Sequence, residues 1–225
     1  MSFQTDRPIL AIDTSTSSLS LALRADGQTL LHHSEAGTRQ SALILPHIRA
    51  LFAEAGVGAA DLGAIVYAQG PGAFTGLRIG TGVAQGLAAP FATPLVGIPC
   101  LDAAAYLRPG RSGVLAATDA RMDEVFYAWF DTAAHRRLTP YRVGAAADIA
   151  LPDGAAFSDG IGNAFALADK PPFDGCADMP TAADYLTLAL SGRYPAAPAA
   201  QAELLYVRDK VALTAKEQAE QKAPR

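Results

Sequence analysis

The chain has 225 residues, of which 50% are hydrophobic and 18% are charged, and its net charge is −4. This length and balance predict one large domain or two small ones with a substantial buried core. The negative charge excludes a broad basic surface for nucleic acid, although a local basic patch stays open. The two cysteines, Cys100 and Cys176, lie far apart, which excludes a disulfide framework and is typical of a reducing cytoplasm.

The first hundred residues predict the order β-β-β-α-β-α-β. Asp26 and Gly27 predict a tight hairpin turn. Gly56 follows a segment whose apolar residues recur at helical spacing, so it predicts the end of a helix. Strands are predicted at 9–13, 18–24, 28–33, 64–67 and 95–98, and helices at 41–55 and 75–89.

A glycine-rich turn over residues 68–82 contains five of the chain's 20 glycines. A strand, a glycine-rich turn and a helix are typical of a phosphate cradle, because free N–H groups at a helix start attract anions. The two glycine fingerprints for phosphate do not match, however. No lysine follows Gly76, and Gly70, Gly72 and Gly76 are spaced one residue too widely for a dinucleotide turn.

Four small residues form a ridge on the second predicted helix. Gly76, Gly80, Ala84 and Ala88 recur every fourth residue, which places them on one helix face. A ridge of this kind lets another backbone approach closely. Two interpretations stay open: packing inside the protein's own core, and contact with a helix of a partner.

The second half of the chain predicts a weaker copy of the first. Strands are predicted at 113–119, 124–130 and 141–143, a helix at 181–190 and a helical region at 202–221. The strand at 113–119 ends in Asp119, just as the strand at 9–13 ends in Asp13. This correspondence predicts a duplicated fold of two lobes.

No segment predicts a targeting peptide or a membrane span. Residues 79–101 are uncharged and long enough to cross a bilayer. Their glycines and prolines instead favour a helix, a turn at Ala89 and Pro90, and a strand. We therefore expect a cytoplasmic protein without a membrane partner.

Four segments together resemble the TsaB family, also called YeaZ. They are residues 9–15 (ILAIDTS), 70–80 (GPGAFTGLRIG), 119–125 (DARMDEV) and 206–208 (YVR). The resemblance implies an α/β protein with the duplicated, two-lobe, mixed-sheet fold of the actin-like superfamily of sugar kinases and chaperone ATPases. We expect lobes at 1–104 and 105–200, and a C-terminal helical segment at 201–225 that packs back on the first lobe.

The resemblance also implies a function in tRNA modification. TsaC makes threonylcarbamoyl-AMP, and TsaD, TsaE and the TsaB-family subunit transfer the group to the adenosine beside the anticodon of ANN-decoding tRNAs. In that system the TsaB-family subunit is a non-catalytic scaffold that contacts tRNA through the complex. ATP and a metal belong to the partner subunits, and this chain alone is expected to bind neither.

The family pairs with TsaD through the helices that correspond to 41–55 and 75–89. The same surface is expected to form a homodimer when TsaD is absent. The residues expected at this partner interface are Leu43, His47, Gly76, Gly80, Ala84 and Ala88.

The histidine positions do not predict a metal site. TsaD-like proteins carry a His-x-x-x-His metal pair, and the matching positions of this chain are Cys100 and Ala104. His32 and His33 are neighbours on a predicted strand and face apart, and His47 has no second ligand one helical turn away. We therefore expect no catalytic residue, no metal and no peptidase activity.

A nucleotide site is the alternative that stays open. In the actin-like superfamily a D-x-G-x-T hairpin wraps the phosphates, and acidic residues hold magnesium. This chain keeps Asp13 but has Ser15 in place of the glycine, with Asp119 as a candidate second acid. These three residues form either a relic loop whose side chains satisfy turn donors or the live site of an ATP-dependent phosphotransferase or ATPase.

Overall fold

The computed structural model describes residues 3–207, in which the first lobe is built on a six-stranded mixed sheet. Its elements are β1 (Ile9–Asp13), β2 (Ser18–Ala25), β3 (Gln28–Glu35), α1 (Gln40–Ala55), β4 (Ala64–Gly70), α2 (Phe74–Ala88), β5 (Leu95–Pro99) and α3 (Cys100–Ala105). Strand β1 lies at the centre, antiparallel to β2 and parallel to β4.

Local sequence signals explain how these elements begin and end. Asp26 and Gly27 have φ values of 49° and 77°, the left-handed pair that a two-residue hairpin turn needs. Helix α1 ends where Gly56 adopts the left-handed conformation at φ 67°. Both predictions are confirmed.

The second lobe is a smaller sheet. Its strands are β6 (Ser112–Arg121), β7 (Glu124–Asp131), β8 (Arg136–Arg137), β9 (Arg142–Gly144) and β10 (Asp159–Ile161). Strands β6 and β7 form a long antiparallel hairpin, and β10 runs parallel to β6. Two mixed sheets, with α1, α2 and α4 on the first and α3 between the two, confirm the predicted α/β, two-lobe, mixed-sheet architecture.

The chain then returns to the first lobe through α4 (Ala182–Leu190) and β11 (Ala196–Ala197). Helix α4 buries Tyr185 and Leu186 against Ile9 and Ala11 of β1, while α1 and α2 cover the opposite face of the sheet. Strand β11 pairs with β5. Both elements fall within the range 105–200 expected for the second lobe, yet they pack on the first.

The end of the described chain differs from its prediction. A single 3-10 turn, Ala199–Gln201, is followed by non-helical backbone up to residue 207. The Leu205 N–H donates to the Gln69 carbonyl at 2.8 Å. The predicted helix at 202–221 is therefore wrong for 202–207, where the chain bonds to the C-terminal end of β4. The remainder of the predicted helix lies outside the described residues.

Between residues 3 and 207, none of the helices combines the length and the apolar composition that crossing a bilayer requires.

Candidate functional site

The small-residue ridge of α2 faces the inside of the protein. A Cβ atom at Gly76 would overlap the Thr14 carbonyl oxygen, and one at Gly80 would overlap Thr14 Oγ1. Ala84 and Ala88 are fully buried. The prediction that these four residues form a partner interface is wrong, because the ridge is buried against β1 and the turn after it and is not accessible to a partner.

The opposite sides of α1 and α2 face solvent. Leu45 on α1 is 42% exposed, and Gly82 and Gly86 on α2 have open space where a Cβ would stand. We call this area the outer helix surface. It consists of exposed Ala42, Leu45, Pro46, Gly82 and Gly86, with partly buried Ile79 and Val83. Leu43 and His47, also expected at a partner interface, are half-buried and remain accessible.

His47 has a neighbour that sequence reasoning missed. Its ring stacks on that of His32 of β3, with the ring centroids 3.6 Å apart and an interplanar angle of 20°. Burial, together with the charges of His47 and His33, lowers the pKa of His32. Across residues 3–207, no three or more His, Cys, Asp or Glu side chains form a group that could hold a metal ion.

A cleft with a cavity of about 330 Å³ lies between the lobes. Its walls come mainly from four segments: residues 15–17 after β1, residues 71–74 before and at the start of α2, residues 118–122 in the β6–β7 hairpin, and residues 205–207. Two of the three candidate phosphate-loop residues, Ser15 and Asp119, line this cavity. The cleft is therefore where a nucleotide would bind under the alternative interpretation.

Asp13, the third candidate, is only 5% exposed. Its Oδ1 accepts the Ser15 N–H at 2.8 Å, which closes the turn after β1. Burial raises the pKa of the Asp13 carboxyl, against the lowering effect of its hydrogen bonds with Ser15. In this structure the Asp13 carboxyl therefore caps the turn after β1.

Asp119 is held by the hairpin that carries it. Its carboxylate accepts the Arg121 N–H at 2.7 Å and pairs with the Arg121 guanidinium at 3.1 Å. The Asp119 N–H donates to Asn163 Oδ1 at 2.8 Å. The structure thus brings Ser15 and Asp119 to one cleft and leaves Asp13 beneath it.

An exposed aromatic cluster lies at the mouth of the cleft. The Arg78 guanidinium stacks 3.8 Å from the Phe74 ring centroid, and the Phe74 and Tyr206 rings are 5.9 Å apart. Phe74 is 37% exposed and Tyr206 is 51% exposed. Sequence reasoning missed this cluster because Tyr206 arrives from the far end of the described chain.

The sequence and fold of this chain are similar to those of proteins linked to one tRNA modification. Residues 32–150 match the family described as TsaD, tRNA N6-adenosine threonylcarbamoyltransferase. The solved structure of YeaZ from Pseudomonas aeruginosa is 34% identical with a TM-score of 0.78, and the match covers 89% of this chain and 99% of that chain. This chain is therefore a TsaD-like α/β protein with two mixed sheets.

Curated relatives give the same result from sequence. Proteins named tRNA threonylcarbamoyladenosine biosynthesis protein TsaB, from Escherichia coli (strain K12) and Haemophilus influenzae, are 42% and 39% identical over 123 and 122 residues. Both matches cover 53% of this chain. The chain spans about half the length of the two relatives, 53% of the first and 52% of the second. The chain belongs to the TsaB family, also called YeaZ.

Proposed function

We propose that this chain is the non-catalytic partner subunit of a TsaD-type enzyme that transfers threonylcarbamoyl from threonylcarbamoyl-AMP to tRNA. The observation that carries the proposal is the similarity to YeaZ along nearly the whole chain, at 34% identity over 89% of its length. The relatives named for threonylcarbamoyladenosine biosynthesis supply the reaction. We place this reaction in the cytoplasm.

The state of the chain's own side chains supports assigning catalysis to the partner. Cys100 and Ala104, which match the TsaD-type histidine pair when the two patterns are aligned without gaps, are both buried. Burial raises the pKa of the Cys100 thiol to about 12, so the reactive thiolate is scarce near neutral pH. ATP and the metal would then be bound by the partner subunits, TsaD and TsaE.

The outer helix surface is the face that we assign to TsaD. A stable interface buries about 1,200–2,000 Å² in total, and small exposed residues such as Gly82 and Gly86 allow a partner helix to approach closely. The same surface would pair with a second copy of the chain when TsaD is absent. Contact with tRNA would come through the complex.

The alternative function, an ATP-dependent phosphotransferase or ATPase, is favoured by one observation: Ser15 and Asp119 line an open interlobe cavity. It predicts micromolar binding of ATP and magnesium with turnover by the isolated chain. The scaffold function predicts neither.

Asp13→Asn separates the two functions. Asparagine keeps the oxygen that accepts the Ser15 N–H and removes a charge that burial disfavours. We expect the free energy of unfolding to change by no more than about 1 kcal/mol and tRNA modification by the complex to stay near normal. The measurement is a thermal melt paired with a modification assay. A normal melt with activity reduced by orders of magnitude would favour the nucleotide site.

A further inference from the structure

We propose that the turn between β1 and β2, residues 14–17, positions α1 and α2 relative to each other and thereby sets the shape of the outer helix surface. This inference rests on the proposed function, because that surface is the one assigned to TsaD. Under this inference, the turn that would wrap phosphate in an actin-like ATPase has a structural role here.

The turn holds the start of α2 by direct hydrogen bonds. Thr14 Oγ1 donates to the Gly76 carbonyl at 2.7 Å, and the Ala73 N–H donates to the Ser15 carbonyl at 2.7 Å. Thr14 is only 1% exposed. Glycine at 76 and at 80 leaves the space that the Thr14 carbonyl and hydroxyl occupy. The backbone of α2 at Gly76 and Gly80 therefore lies directly against the β1–β2 turn, with no α2 side chain between them.

The same turn holds the start of α1. Gln40, the first residue of α1, is 4% exposed. Its Nε2 donates to the Thr16 and Ser18 carbonyls, each at 2.8 Å. Its Oε1 would lie 3.0 Å from a Cβ at Gly76. The Gln40 side chain thus connects the start of α1 to the β1–β2 turn and lies beside Gly76 at the start of α2.

These contacts are suited to positioning as well as to folding. Apolar packing on the sheet holds both helices but is non-directional, whereas hydrogen bonds fix distance and angle. The Thr14 hydroxyl and the Gln40 amide are both engaged with backbone carbonyls. Loss of one such bond should change the spacing of α1 and α2 while the apolar core keeps the chain folded.

The experiment compares three threonine variants. Thr14→Val removes the hydroxyl at nearly constant volume, and Thr14→Ser keeps it. Thr81→Val is the matched control, because Thr81 Oγ1 is buried on α2 without a hydrogen-bond partner among the described residues. Spin labels at Arg49→Cys on α1 and Gly86→Cys on α2, in a Cys176→Ser background, are diluted into excess unlabelled protein so that they report the distance between the helices within one chain. Affinity for TsaD is measured on unlabelled protein.

We expect Thr14→Val to shift or broaden the α1–α2 distance and to weaken TsaD binding by about tenfold or more. Thr14→Ser and Thr81→Val should resemble the wild type in both measurements. An unchanged distance in Thr14→Val would overturn the inference, whatever the affinity. Should Thr14→Val not fold, Gln40→Met removes the hydrogen bonds that hold the start of α1 to the turn, and the same outcomes apply.

The two readouts keep this inference apart from the proposed function. If the distance changes in Thr14→Val while the wild-type chain itself fails to bind TsaD, the turn positions the helices and the assigned partner is wrong. If the wild type binds TsaD and Thr14→Val has both the wild-type distance and the wild-type affinity, the partner is right and the positioning role is wrong.

Discussion

Alanine at Gly76 or Gly80 is expected to destabilise the protein strongly, whereas alanine at Gly82 on the same helix should stabilise it. A methyl group at 76 would meet the Thr14 carbonyl, and one at 80 would meet Thr14 Oγ1, whereas the space at 82 is open. Overpacking in a core costs about 1–3 kcal/mol or more. At an open helical position, alanine is about 1 kcal/mol better than glycine.

Urea denaturation of the three variants measures this difference. Gly82→Ala is the matched control, since it makes the same chemical change in the same helix. Equal midpoints for Gly76→Ala, Gly80→Ala and Gly82→Ala would contradict the buried orientation of the ridge. In that case the ridge would be free to contact a partner, as its spacing alone allows.

Arginine at Leu45 and Gly86 together is expected to abolish pairing with TsaD. Both positions are open to solvent in the free chain, so the variant should fold. A complex through the outer helix surface would bury both charges without partners, at a cost of about 3–5 kcal/mol each. Affinity for TsaD should then fall by more than about 100-fold, and the homodimer that we propose for the chain alone should not form.

Leu151→Arg serves as the control for this variant. Leu151 is exposed to a similar degree, 37%, but belongs to the second lobe. We expect it to bind TsaD normally in a titration by calorimetry. If the Leu45→Arg, Gly86→Arg double variant bound TsaD as tightly as Leu151→Arg does, the interface would lie elsewhere.

The sequence predicted most of the regular elements because their signals are local. The Asp26–Gly27 turn and the end of α1 at Gly56 depend on backbone conformations that few residue types adopt readily. The long strands β6 and β7 show continuous apolar runs. The short strands β8, β10 and β11 were missed, because strands of two or three residues leave too little pattern to recognise.

The site was harder to predict because it depends on contacts between distant segments. Helical periodicity places Gly76 and Gly80 on one face but cannot say whether that face meets β1 or a partner. The stacking of His32 on His47 joins a strand and a helix, and Tyr206 reaches Arg78 from the end of the described chain. The α2 glycines in fact serve two faces, with 76 and 80 inward and 82 and 86 outward.

Omission of this chain from a reconstituted modification reaction tests the central claim most directly. TsaC, TsaD, TsaE, threonine, bicarbonate, ATP and tRNA are combined with and without the chain, and threonylcarbamoyladenosine is quantified by mass spectrometry. We expect product with all components, little or none without the chain, and none when the chain replaces TsaD. Full product without the chain, or robust transfer without TsaD, would contradict its assignment as a non-catalytic partner.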